Sequence, residues 1–242
     1  MPCKVVIPSR KRAGRILTKV KNAILYIDQA ELSEYRRCYP DIEIETHPGL
    51  NRLSLIRQAI YKRFSDVFMI DDDIQDIYRL YPCKDKYLSP TDAYKAIQYC
   101  YETAKEIGAH LFGFNNSYNP RDYNAHKPFM LKGYINGSAM GLIKSDKLYF
   151  TEKTTAAESH WINLLNAFHY RYCFIDKRYC FMQAIGSTFK RPGGQTGRRT
   201  LQSEKEDTLF LMQNFGSSVR WKKARNKTKQ LHEYQRELNI KL

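Results

Sequence analysis

At 242 residues and 43% hydrophobic content the chain can bury one sizeable core but hardly two. It has no apolar run long enough to span a bilayer, no secretory-type leader and no C-x-x-C pair among six scattered cysteines, so a cytoplasmic protein with reduced thiols is expected. Its net charge of +15 sits at the ends, +7 over residues 1–21 and +8 over 185–242, with twenty basic and twenty acidic residues between, which points to one electropositive face for a polyanion.

In chain order, apolar runs alternate with amphipathic stretches, the pattern of βα units in an α/β domain with a mostly parallel sheet. Strands are predicted at Lys4–Ile7, Ala23–Ile27, Ile42–Thr46, Val67–Ile70 and Leu111–Phe114. Leu53, Ile56, Ile60 and Phe64 recur at helical spacing. So do Ala93, Ile97, Tyr101 and Ala104, with Ser89 as N-cap and Pro90 opening the helix. Further on, strands are expected near Ala139–Ile143 and Tyr172–Ile175, and helices over Ala156–Phe168 and Glu204–Phe215. Ser203 and Glu206 have the spacing of a capping box for the last helix, and Gly216 would stop it. The domain is expected over 1–220, with a basic tail at 221–242 that orders on a partner.

The chemistry concentrates at Asp71, Asp72 and Asp73, directly after the apolar strand Val67–Ile70. Open α/β sheets bind ligands at that carboxyl end. Two carboxylates about 6 Å apart repel by roughly 3 kcal/mol at an effective dielectric near 20, so three in succession call for a hard cation, Mg²⁺ or Mn²⁺. The competing reading has one aspartate capping a short helix from Ile74 to Leu80. Strand one runs into Pro8, Ser9, Arg10, Lys11 and Arg12, a basic loop placed to meet a nucleotide's phosphates. Gly193 and Gly194, in a Gly- and Arg-rich loop, could turn backbone N–H groups toward a diphosphate.

Taken together, the strand ending Ile7-Pro8-Ser9-Arg10, the acid Asp28 after strand two, the Gly49-Leu50-Asn51-Arg52 helix entry and the triple aspartate resemble the nucleotide-sugar half of GT-A fold glycosyltransferases. Ile135-Asn136-Gly137-Ser138 resembles that fold's acceptor-side segment. The basic ends and the GGQTG loop are most similar to the TET-associated glycosyltransferases of bacteriophages. The resemblance implies a nucleotide-sugar-binding half over 1–115 and an acceptor half over 116–220. It implies a UDP-sugar donor bound by Pro8, Ser9, Arg10, Arg12, Asp28, Asn51, Arg52, Asp71, Gly193 and Gly194. It implies a divalent metal, Mn²⁺ or Mg²⁺, on Asp71 and Asp73 with His160 as third ligand. Glu158, in an A-E-S variant of the x-E-D motif, becomes the candidate base, with Asp72 beside it. Glu158 also has an ordinary reading, since Thr155-x-x-Glu158 is a capping-box spacing.

The acceptor implied is hydroxymethylated DNA, because unmodified bases offer no alkyl hydroxyl. Tyr118, Tyr123, Phe129 and Tyr134 are candidates to receive an extruded base by stacking. A glycan or protein acceptor, a metal-dependent nucleotidyl or phosphoryl transferase, and a non-catalytic nucleic-acid binder remain alternatives.

Overall fold

The computed structural model describes residues 1–184, 199–222 and 234–239. Among these, the first half builds a parallel ladder. Strands β1 (Lys4–Pro8), β2 (Ala23–Asp28), β3 (Glu43–His47) and β4 (Val67–Ile70) pair in the order β3-β2-β1-β4. Adjacent residues face opposite cores. Val5, Ile7, Phe68 and Ile70 enter one apolar cluster, and Val6, Val67 and Met69 enter the other. A strand buried on both faces explains the continuous Val-Ile-Phe-Met runs that mark these elements in the sequence.

Helix α1 (Leu32–Cys38) and α3 (Pro90–Glu106) cover the first face, while α2 (Leu53–Phe64) and α4 (Glu158–Tyr170) cover the second. The start of α3 is as predicted: the Ser89 hydroxyl accepts the Asp92 N–H at 3.1 Å, with Pro90 in the first turn. Beyond β4 the sheet continues through β8 (Ala139–Leu142), β6 (Leu111–Asn115) and β9 (Phe174–Gln183) to the edge strand β5 (Ile74–Arg79), with the short β7 (Phe129–Met130) also on β9. β6 runs parallel to β9, and the β4–β8, β8–β6 and β9–β5 pairs are antiparallel. At Gly141, in β8, a Cβ would lie 2.0 Å from the Phe112 ring, so glycine lets that ring pack flat on the sheet.

Three expectations change, and the short helix of the competing reading does not form. Residues Ile74 to Arg79 form strand β5 and not a short helix, because they pair with β9. That strand starts at Phe174 and runs ten residues to Gln183, well beyond Ile175, since it serves β6, β7 and β5 in turn. Helix α5 (Leu201–Phe215) starts three residues before Glu204: Thr200 and Ser203 form its capping box, so Ser203 is the third helical residue and not the cap. The tail is partly built in. β10 (Val219–Trp221) and β11 (Arg236–Leu238) form an antiparallel ribbon, and buried Arg236 ion-pairs with Glu204 of α5. No helix among the described residues is long and apolar enough to cross a membrane.

Candidate functional site

A cavity of about 300 Å³ opens at the carboxyl ends of β1 and β4. Pro8, Ser9, Arg10 and Arg12 form one wall and Asp71, Asp72 and Asp73 the floor. Asn136, Gly137 and Ser138 form the facing wall, and Glu158 and His160 close it from the start of α4. The topology explains the meeting. β1 and β4 are neighbours, so the loops leaving them lie side by side, and β8 pairs with β4 on the other flank. Asp71 is fixed at that junction by its N–H donating to the Ser138 carbonyl at 2.8 Å.

The three aspartates have different environments. Asp72 is buried, ion-paired with Arg12, and accepts the Ser9 hydroxyl at 2.5 Å; Ser9 in turn meets the Tyr35 hydroxyl at 2.8 Å. It therefore ties the β1 loop to β4, and burial raises its carboxyl against the lowering effect of Arg12. Asp71 pairs with Arg57 at 2.9 Å, yet burial, helped by Asp73, Asp72 and Glu158, pushes it up to about 7. Asp71 Oδ2 and Asp73 Oδ1 converge on one atom, Gln183 Nε2, at 3.3 and 3.1 Å.

Arg57 was not visible as a site residue in the sequence, although an arginine at the helical spacing of Leu53, Ile56 and Ile60 sits on an otherwise apolar face. Its side chain is 1% exposed and lines the cavity. One nitrogen holds Asp71, and Nε and Nη1 are buried with no hydrogen-bond partner among the described residues. A buried cation left half-satisfied is costly unless a ligand completes it. Gly137 gives this guanidinium its room: a Cβ there would lie 2.7 Å from the Ser159 Cβ and 3.1 Å from Arg57 Nη1.

Glu158 opens α4 without the capping box suggested by Thr155, since no side chain caps that helix. The N–H groups of Thr155 and Ala156 instead donate to Asp207 of α5 at 2.9 and 2.7 Å. Glu158 is thus released from capping, lines the cavity at 7% exposure, and has no hydrogen-bond partner among the described residues. His160 lies against the Tyr134 ring, 5.1 Å between centroids, and its Nδ1 is buried with no partner among the described residues. Burial, with Arg236 and Arg199 nearby, lowers it to about 3, so the ring is neutral at physiological pH.

Other predicted residues lie elsewhere. Asp28 caps the short 3₁₀ turn after β2, accepting the Ala30 N–H at 3.1 Å, and is not among the cavity-lining residues. Asn51 touches the site only through its carbonyl, which accepts from Arg10 at 3.3 Å, and Arg52 turns outward to the Glu152 carbonyl at 2.5 Å. Gly193 and Gly194 lie outside the described residues. Of the four aromatics, Tyr134 lines the cavity, and Tyr118, Tyr123 and Phe129 do not. Ser138 belongs to the acceptor-side segment named in the sequence, whereas Gln183 and Asp207 were missed, because each is brought in by long-range pairing that no local motif announces.

Among the described residues no group of three or more His, Cys, Asp or Glu side chains gathers for a metal. Two carboxylate oxygens converging on one point do suit a hard cation of the Mg²⁺ or Mn²⁺ kind, which commonly takes one or two protein carboxylates and completes its shell with phosphate oxygens and water.

Comparison with known families bears directly on these residues: the model described as TET-Associated Glycosyltransferase matches residues 3–193. The chain belongs to that family. As a TET-associated glycosyltransferase it is a glycosyltransferase, and the match takes in every cavity residue named above up to Gln183. No curated protein matches significantly. Among solved structures, CMP:2-keto-3-deoxy-manno-octonic acid synthetase complexed with CTP is similar at 9% identity and a TM-score of 0.37, over 88% of this chain and 100% of that one. A likeness that loose carries no mechanistic weight.

Proposed function

We propose that this TET-associated glycosyltransferase moves a sugar from a UDP-sugar, with Mn²⁺ or Mg²⁺, onto the hydroxymethyl group of a 5-hydroxymethylcytosine-type base in phage-type DNA. The observation that carries the donor reading is Arg57. A buried guanidinium, with two nitrogens that have no partner among the described residues, lines the same cavity as three aspartates, which suits an anion beside a cation. A nucleoside diphosphate with its metal brings both.

In this reading Asp71 and Asp73 hold the metal, which when bound neutralises charge on the diphosphate leaving group. Arg57, with Arg10 from the β1 loop, binds the phosphates. Asp72 is a positioning residue, since Ser9 and Arg12 already occupy it. Glu158, uncommitted and at the cavity wall, receives the proton of the acceptor hydroxyl as its oxygen bonds to the sugar and the bond to the diphosphate breaks. His160, neutral and packed against the tilted Tyr134 ring, shapes the wall beside that reaction. The acceptor reading rests on family membership and on a charge of +15, far beyond the need of one diphosphate.

The experiment is nucleoside mass spectrometry after incubating hydroxymethylated DNA with enzyme, metal and a panel of UDP-sugars. A hexose or N-acetylhexosamine adduct on the modified base is expected. Transfer to a glycan or protein with none to DNA would overturn the acceptor assignment.

A further inference from the structure

The cavity is only part of the surface that suits a nucleic acid. Tyr87 and Tyr118 are 58% and 59% exposed, unusual for two large aromatics brought together on one patch. Both rings flank Tyr78 of the edge strand β5, at 5.0 Å and 6.3 Å between centroids, tilted by 44° and 32°. Tyr78, itself partly buried, thus links two rings that are more than half exposed into one tyrosine row. A second contact, Tyr81 to Tyr123 at 6.5 Å, joins the same two loops, those following β5 and β6.

A short stretch of chain joins this row to the cavity. Tyr118 is two residues from Asn116, whose side chain donates to the Tyr134 carbonyl at 2.5 Å and accepts the Asn136 N–H at 3.2 Å. Tyr134 and Asn136 both line the cavity. From the other side, β5 itself leaves the triple aspartate, and the five residues from Asp73 to Tyr78 span roughly 16 Å of strand. The loops are positive: Lys84 and Lys86 stand against Asp85 after β5, and three basic residues stand against Asp122 in segment 116–133.

We propose that this tyrosine row is a stacking platform for single-stranded DNA, which leads the acceptor strand to the cavity; the proposal rests on the DNA acceptor of the preceding section. Aromatic faces bind bases only where the bases are unstacked and unpaired. A duplex offers its base faces to its own neighbours, and would also spend a few kcal/mol extruding the target base. A single strand meets both the row and the cavity without that cost. Basic loops beside exposed rings are the combination that tracks a phosphate backbone while its bases stack.

The test uses unmodified oligonucleotides, so that it stands whether or not sugar transfer to DNA is observed. Fluorescence anisotropy at fixed salt compares a labelled twelve-nucleotide thymidine strand, a twelve-base-pair duplex and a thymidine trinucleotide. The long single strand is expected to bind at least about tenfold tighter than the duplex. Tyr87→Ala and Tyr118→Ala should each weaken it by about 5- to 150-fold, the range of one lost base stack. UDP affinity should be unchanged in both variants, and so should the melting temperature, since both side chains are more than half exposed. Duplex binding as tight as the single strand, or full single-strand affinity in the Tyr87→Ala, Tyr118→Ala double variant, would overturn the platform. A single-stranded uridine oligonucleotide that binds tighter than its DNA counterpart would reassign the row to RNA. Platform binding without any nucleoside adduct would remove the acceptor chemistry and leave the strand-binding surface in place.

Discussion

Replacing Arg57 with glutamine removes the guanidinium while keeping a polar side chain in the space beside Gly137. Arg57 gives one nitrogen to Asp71 and keeps two without a partner among the described residues. A hydrogen bond to a charged partner contributes about 1.5–3 kcal/mol, and the bare attraction between unit charges 4 Å apart is about 4 kcal/mol at an effective dielectric of 20. Loss of one such contact to a phosphate should therefore weaken UDP by about 10- to 150-fold. The variant also leaves Asp71, already pushed up to about 7, without its guanidinium, which raises it further and impairs cation binding. Calorimetric titration without metal separates the two effects. Uridine, lacking phosphate, should bind the variant as it binds the wild type, UMP should lose part of its affinity, and UDP most. Equal losses for uridine and UDP, or no loss for either, would refute the placement of the phosphates at Arg57.

Asp73→Ala should abolish sugar transfer and the rise in melting temperature that Mn²⁺ gives the wild type; a wild-type rise in the variant would remove Asp73 from the cation site. Asp207→Asn weakens the clamp on the Thr155 and Ala156 N–H groups, so unfolding in urea should show a loss of about 1–3 kcal/mol, with kcat falling through displaced Glu158 while uridine affinity holds. His160 gives a pH signature. Its folded value near 3 lies below the ordinary 6.5, so the unfolded chain binds the extra proton and stability falls as pH drops from about 6.5 toward 3. At pH 5 that loss is about 2 kcal/mol relative to pH 8, and His160→Gln should be less sensitive to acid by that amount in urea titrations at the two pH values.

The parallel half of the fold and the aspartate floor were readable from the sequence because both are local. A strand buried on both faces writes an unbroken apolar run, and three acids at its end have few structural uses. The second half was harder for a physical reason. β9 serves three partner strands, and its length is set by them, not by its own composition. Gln183 reaches Asp71 and Asp73 across more than a hundred residues of chain. Asp207 does to the α4 entry what Thr155 was expected to do, and no spacing rule connects residues 52 apart. Asp28, Asn51 and Arg52 were assigned by resemblance alone, and in this chain Asp28 caps a 3₁₀ turn, Asn51 meets Arg10 through its carbonyl and Arg52 reaches the Glu152 carbonyl.

The charges lining the cavity give the donor reading its strongest internal support. Asp71, Asp72, Asp73 and Glu158 are matched by Arg10, Arg12, Arg57 and Arg199, four against four, with His160 neutral. A cavity of one sign would take its counter-ion alone. This one is balanced overall but divided within, with the acids on the β4 end and α4, and the arginines spread over the β1 loop, α2 and the start of α5. A lone cation there would lie close to Arg57, and a lone diphosphate close to the aspartates, so each is opposed by the half that favours the other. Bound together they screen each other's repulsion, and by linkage each should raise the affinity of the other by the same factor. In the proposed reading the metal and the nucleoside diphosphate occupy the cavity together and divide these charges between them.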